Sequence, residues 1–166
     1  MKPPTKRETR EQFAGVAERY RTSVDHVDAD DRRLLLTRLS PHPSHLVLDV
    51  ATGGGHTAAD FAPRVRKVVA SDLTPEMLRE ARTLAESRGF RNVEFVAADA
   101  ERLPFAAETF DLVTCRIAPH HFPDLPSALR EILRVTRTGG LVGIIDSVVP
   151  DDPSLDAFLN GIEKVR

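Results

Sequence analysis

Apolar positions along the chain switch repeatedly between two periods. Phe13, Val16, Ala17 and Tyr20 fall at i, i+3, i+4 and i+7 within an otherwise charged stretch, the spacing of an amphipathic helix. A second helix is expected from Asp30 to Leu39, stopping ahead of Pro41 because the residue before a proline resists helical geometry. Five short apolar runs then read as strands: Leu46 to Val50, Val68 to Ser71, Val93 to Ala98, Phe110 to Cys115 and Leu141 to Val148. Helices are expected between them. One lies near His56 to Phe61. Another opens with Thr74 as N-cap and Pro75 at its first position, buries Met77, Leu78, Ala81, Leu84 and Ala85, and ends at Gly89. A third buries Leu125, Leu129, Ile132 and Leu133 and ends at Gly139 and Gly140. Strands that read as continuous apolar runs and alternate with helices indicate a parallel sheet covered on both faces. Right-handed crossovers make this a doubly wound α/β domain.

Composition narrows the class without choosing a function. In 166 residues, 23 Lys and Arg face 25 Asp and Glu, a formal charge of −2, and 41% of positions are hydrophobic, as in one ordinary soluble domain. A near-neutral balance without a long basic run argues against coating nucleic acid or an anionic membrane. Charges interrupt every apolar run well before the ~18 residues needed to cross a bilayer. The opening MKPPTKRETREQF has no signal-peptide core, so a cytoplasmic location is expected. The single cysteine, Cys115, forms neither an internal disulfide nor a structural zinc site and is expected inside a strand. His26, His42, His45 and His56 are scattered without metal-ligand spacing, and no metal is expected.

In doubly wound sheets, ligands bind beyond the carboxyl ends of the strands, where the winding reverses. The first three strands end in DVATGGG, SD and AD. Glycines permit positive φ and let a ligand touch the backbone, while the following helix N-terminus offers unpaired N–H groups. Three in a row, Gly53 to Gly55, favour a ligand loop over a plain tight turn. Asp72, seventeen residues after Gly55, is placed to accept both hydroxyl protons of a ribose. Asp99, one strand further on, could accept from an adenine amino group, with the N–H of Ala100 beside it. Either acid alone could cap a helix or face solvent; two at successive strand tips favour an adenosine site.

This combination resembles the class I S-adenosylmethionine-dependent methyltransferases, and more closely their quinone-biosynthesis branch. The resembling segments are VLDVATGGGHTA, VVASDLTPEML, FVAADAERLPF, FDLVTCRIAPHHFPD and LREILRVTRTGGLVGIIDS, about 100 positions in matching order. The resemblance implies a Rossmann-like core over residues 41–166, a helical lid over 1–40, and S-adenosylmethionine as cofactor. It implies that Asp49 and the backbone of Ala51, Thr52, Gly53 and on to Gly55 hold the methionyl part. Asp72 would bind the ribose, Leu73 would pack on the adenine, and Asp99 with Ala100 would read its edge. The backbone near Arg116 would face the methionyl amine. Phe13 and Tyr20 resemble the family's lid residues, although they could equally pack their helix on the domain. The family's first motif glycine is Ala51 here, a mild change if the backbone keeps negative φ.

A second departure lies at the end. The nineteen residues after Ser147 fit one helix, Ser154 to Val165, burying Leu155, Phe158, Leu159 and Ile162. They cannot also supply the antiparallel hairpin that completes the family's seven-stranded sheet. The fifth strand is then expected to be an exposed apolar edge, in a fragment of a longer protein or in a chain that self-associates there.

The resemblance implies methyl transfer to a small-molecule acceptor. A sulfonium methyl is already electrophilic, so alignment and water exclusion carry most of the catalysis. His120 and His121 follow the fourth strand at the rim of the expected pocket. Either is a candidate base for the acceptor, or the pair simply shapes the loop. Two other classes stay open. Gly53, Gly55 and Ala58 also satisfy G-x-G-x-x-G/A with Asp72 beyond, as in nicotinamide-dependent oxidoreductases, but no second domain is evident and Asp49 and Asp99 go unexplained. A non-catalytic cofactor-binding or partner subunit would keep the loop and lose the substrate wall. The acceptor is not legible, because the lid and the absent hairpin are what would shape its pocket.

Overall fold

The structure, a computed structural model, describes residues 5–15 and 30–147. Tyr20 and the helix expected over 154–165 lie outside the described residues. A first helix, α1 (Lys6–Ala14), starts at a capping box in which Thr5 and Glu8 satisfy each other's backbone N–H groups. The α2 helix (Asp30–Leu39) then leads into alternating strands and helices: β1 (Leu46–Val50), α3 (His56–Phe61), β2 (Lys67–Asp72), α4 (Pro75–Ser87), β3 (Val93–Ala97), β4 (Phe110–Arg116), α5 (Leu125–Val135) and β5 (Thr136–Ile145).

The strands form one sheet in the order β3-β2-β1-β4-β5, every pair parallel. Winding runs outward from β1 to β3, then returns to place β4 on the other side of β1. The carboxyl ends of β1 and β4 therefore flank the reversal. Successive side chains of β1 feed different cores. Val47 packs with Leu35, Leu39, Phe61 and Val68, whereas Leu48 and Val50 pack with Val69, Val113, Ile132 and Val135. Burial on both faces explains why the central strands read as unbroken apolar runs.

The third interstrand helix departs from expectation. α5 buries Ala128, Ile132 and Val135, while Leu125 and Leu133 are exposed, Leu133 to 65%. Ile132 is buried as expected, and Ala128 and Val135, at i−4 and i+3 from it, complete the inner face. The helix also ends at Val135 without waiting for Gly139 and Gly140. Thr136 is already extended, and β5 starts there and runs to Ile145, five residues ahead of the expected start. The two glycines lie inside the strand, where a Cβ on Gly140 would come within 2.8 Å of the Asp111 carbonyl oxygen. Val148, the expected strand end, is outside the described residues. Among the described residues no strand pairs with the outer edge of β5, and Leu141 and Ile144 on it are exposed.

Two close approaches hold the helices on the sheet. Gly143 admits Leu35 and Leu39 of α2 onto β5, and Gly55, at φ 83, admits α4 against the glycine loop. A Cβ on Gly55 would lie 2.7 Å from the Ala81 Cβ and 2.8 Å from its Cα. Gly55→Ala is therefore expected to cost about 2–4 kcal/mol, from the left-handed backbone and the clash together. Gly53→Ala, whose Cβ meets no atom within 4 Å, should cost only about 1 kcal/mol. Urea denaturation of the two variants compares them; equal losses would contradict the packing role of Gly55.

Candidate functional site

The carboxyl ends of β1, β2, β3 and β4 enclose a cavity of about 110 Å³. Its floor is the loop that follows β1. Ala51 sits at φ 53, correcting the expectation of negative φ there, and Gly53 sits at φ 54. A left-handed alanine is strained, and it persists only where neighbours over-determine it. Here they do. The Thr52 N–H donates to the Ser71 carbonyl (2.9 Å), the Thr52 hydroxyl to Asp49 Oδ2 (2.6 Å), and the Gly53 N–H to Asp72 Oδ2 (2.9 Å).

Asp49 is sealed in the sheet and also accepts the Thr114 hydroxyl on Oδ1 at 2.7 Å. Burial pushes its carboxyl up to about 6; the two hydroxyl bonds and the Arg116 charge pull the other way. Asp72, also buried, accepts the Thr74 N–H on Oδ1 at 2.9 Å, so both its oxygens are fixed by backbone donors. Desolvation raises its pKa above the ordinary value. The Thr74 side chain makes no capping bond to α4, and the backbone N–H of Thr74 itself goes to the Asp72 carboxylate. Asp99 accepts the Glu101 N–H on Oδ1 at 3.0 Å. Its Oδ2 takes the Lys6 ammonium at 2.6 Å, and Lys6 also reaches Glu101 at 2.5 Å. Hydrogen bonds to these two carboxylates hold the Lys6 pKa above its usual value.

The cavity wall thus gathers Asp49, Ala51, Thr52, Gly53, Asp72, Leu73, Asp99, Ala100, Arg116 and His121 from the expected set. Gly55 and His120 are not on it: Gly55 faces Ala81, and His120 points to Asp146. The wall also contains residues that sequence reasoning did not assign to the site. Lys6 carried no signal, being one charge among many in α1. Glu101 stands two positions after Asp99. Ile117, at φ 49, is a β-branched residue in the left-handed region, and such strain gathers at functional sites.

His120 and His121 lie in a 3₁₀ turn (Pro119–His121) with ring centroids 3.9 Å apart. Asp146 grips His120 twice, through the backbone N–H (2.9 Å) and through Nδ1 (2.5 Å). His121 faces the cavity and meets the Phe13 ring edge-on at 4.9 Å, which brings α1 across the mouth. Burial, then the neighbouring His120, lowers the His121 pKa to about 4.

Half-buried His121 and buried Asp49 therefore titrate in opposing senses over one pH window. His121 is held neutral from about 4 to its ordinary 6.5, where the unfolded chain binds the proton. Its stabilising contribution is complete above 6.5 and lost as pH falls through about 4. Asp49 keeps its proton from 3.8 to about 6, where the unfolded chain has lost it. Its contribution is complete below 3.8 and lost as pH rises through about 6. Relative to wild type, His121→Asn should gain stability as pH falls from 6.5 to 4, and Asp49→Asn should gain it as pH rises over the same range. Each trend should amount to at most about 3 kcal/mol. Denaturant titrations at four pH values read both slopes, and slopes of the same sign would contradict the assignment.

Comparison with known proteins agrees with this geometry. A family model described as a methyltransferase domain matches residues 47–140, from β1 through the start of β5. The chain is 38% identical over 154 residues to the uncharacterized methyltransferase YcgJ of Bacillus subtilis, covering 93% of this chain and 61% of that protein. The crystal structure of YcgJ superposes with a TM-score of 0.76, covering 82% of this chain and 58% of that one. A demethylmenaquinone methyltransferase of Chlorobaculum parvum is 39% identical over 108 residues, 64% of this chain and 43% of that enzyme. The chain thus spans between about two fifths and three fifths of the length of these two relatives. With its matched segment holding the glycine loop and all three acidic strand tips, the chain belongs to the methyltransferase domain family.

Proposed function

We propose that the chain binds S-adenosylmethionine in the cavity at the strand ends and transfers its methyl group to a small-molecule acceptor. The observation that carries this reading is the delivery of Asp49, Asp72 and Asp99, from three adjacent parallel strands, to one cavity wall. The residues fit the parts of that cofactor. Gly53 has open space where a Cβ would stand, so a ligand can lie against the backbone. Asp72 is fixed by two backbone N–H groups and keeps further lone pairs for ribose hydroxyls. Leu73, Met77 and Ala100 offer apolar surface beside Asp99 for a purine. The adenine amino group would share or replace the Lys6 ammonium on Asp99.

Charge separates this reading from a dinucleotide site. Acidic side chains at the glycine loop attract a sulfonium and an ammonium and repel a pyrophosphate.

When bound, the cofactor supplies an electrophilic methyl group; the chain aligns the acceptor and excludes water. Phe13 of α1 and His121 close one end of the cavity, and neutral His121 is a weak base there. His120 is oriented by Asp146 but stands off the wall. General-base assistance is accordingly a small part of the proposed catalysis. The similarity to demethylmenaquinone methyltransferase makes a quinone the first acceptor class to assay.

Calorimetry with S-adenosylmethionine, S-adenosylhomocysteine and NAD tests the reading. Expected is binding of the first two and none of NAD, with at least about tenfold weaker binding in Gly53→Ala and Asp72→Ala. Binding of NAD alone would replace the methyltransferase reading with an oxidoreductase. In a methyl-transfer assay, the His120→Ala, His121→Ala double variant should stay within about tenfold of wild-type kcat, below the 10²–10⁴ typical of losing a general base. Cofactor binding without transfer to any acceptor would leave a binding subunit.

A further inference from the structure

The end of β4 holds a side chain that the fold leaves incomplete. The Arg116 side chain is 7% exposed, and its Nε donates to Asp31 Oδ2 of α2 at 2.6 Å. Its Nη2 is buried with no hydrogen-bond partner. The residue lines the cavity, and its charge is felt by Asp49 across the same wall. A guanidinium nitrogen taken from water without an acceptor is costly, and native structures rarely keep one unless something else supplies the acceptor. An ion pair on Nε leaves the far side of the planar fork available, and planar forks suit carboxylates.

We infer that the Arg116 side chain is the receptor for the α-carboxylate of the cofactor's methionyl group, with Asp31 as the positioning residue that turns Nη2 toward it. This rests on the cofactor reading above and adds a contact to it. Asp49 and Arg116 then form a side-by-side pair of opposite charges, complementary to the ammonium and carboxylate of an amino acid. The pairing also gives α2 a role at the site. The helix docks on β5 through Gly143 and carries Asp31 to the guanidinium, so the lid-side helix and the carboxylate contact are coupled.

The test is ligand truncation on the full chain. Equilibrium binding is measured for S-adenosylmethionine and decarboxylated S-adenosylmethionine, on wild type, Arg116→Met and Asp31→Asn. Wild type should prefer the carboxylated ligand by about tenfold or more, in line with a charged hydrogen bond. Arg116→Met should lose about that factor for S-adenosylmethionine and less than about twofold for the decarboxylated ligand, so the preference collapses. Asp31→Asn should reduce the preference partway. Equal weakening of both ligands in Arg116→Met would assign the residue to folding and overturn the inference. So would a wild-type protein that binds the two equally, a result that stands even if the variant fails to fold. If wild type binds neither nucleoside, the cofactor reading itself falls.

Discussion

A carboxylate buried where the sheet reverses its winding sets the terms for everything around it. Asp49 is 2% exposed, a position that an acid tolerates only when its oxygens are occupied. Thr114 occupies one because β1 and β4 pair in the register Asp49↔Thr114. Thr52 occupies the other, which pulls the loop back over the strand end as soon as the strand stops. The same hydrogen bonds that make the acid tolerable thus fix the first turn of the glycine loop. Strand order, register and loop shape meet in one residue.

Two of the three loop glycines divide the work. Gly53 is open to the cavity, whereas Gly55 admits Ala81 and so lets α4 lie against the loop. Ala51 carries a left-handed conformation without being a glycine, and Ile117 does the same across the reversal, held by its N–H on the Ile145 carbonyl at 2.7 Å. Both strained residues line the cavity. Strain of this kind, of order 1–3 kcal/mol per residue, is offset by the hydrogen bonds around it and leaves the backbone presented to the cavity in one conformation.

Two helices from the start of the chain close the site from different directions. α1 spans the mouth, with Lys6 on Asp99 and Glu101 at one end and Phe13 on His121 at the other. Lys6 is partly exposed, so its ion pairs act as a screened latch and add little to the stability of the core. α2 packs on β5 at Gly143, pairs with α3 through Arg32 and Asp60, and meets a cavity-lining side chain in the Asp31–Arg116 pair. Both helices therefore reach residues of the strand-tip cavity, one through charge and ring contacts, the other through a buried guanidinium.

Local patterning in the sequence determined the order of elements, the parallel sheet and the three acidic strand tips, because apolar period and strand-end chemistry are properties of neighbouring residues. It also placed α2, β1 and α3 at their observed limits. It could not set the rotation of α5 about the shared position Ile132, since which flanking residues turn inward is decided by tertiary packing. Nor could it anticipate Lys6 on Asp99, Arg116 on Asp31 or Asp146 on His120, pairs separated by 93, 85 and 26 residues. Those contacts, the left-handed turn at Ala51 and the packing role of Gly55 belong to the tertiary structure. They depend on which strand lies beside which and how near each helix comes, and only the folded chain brings those distances into being.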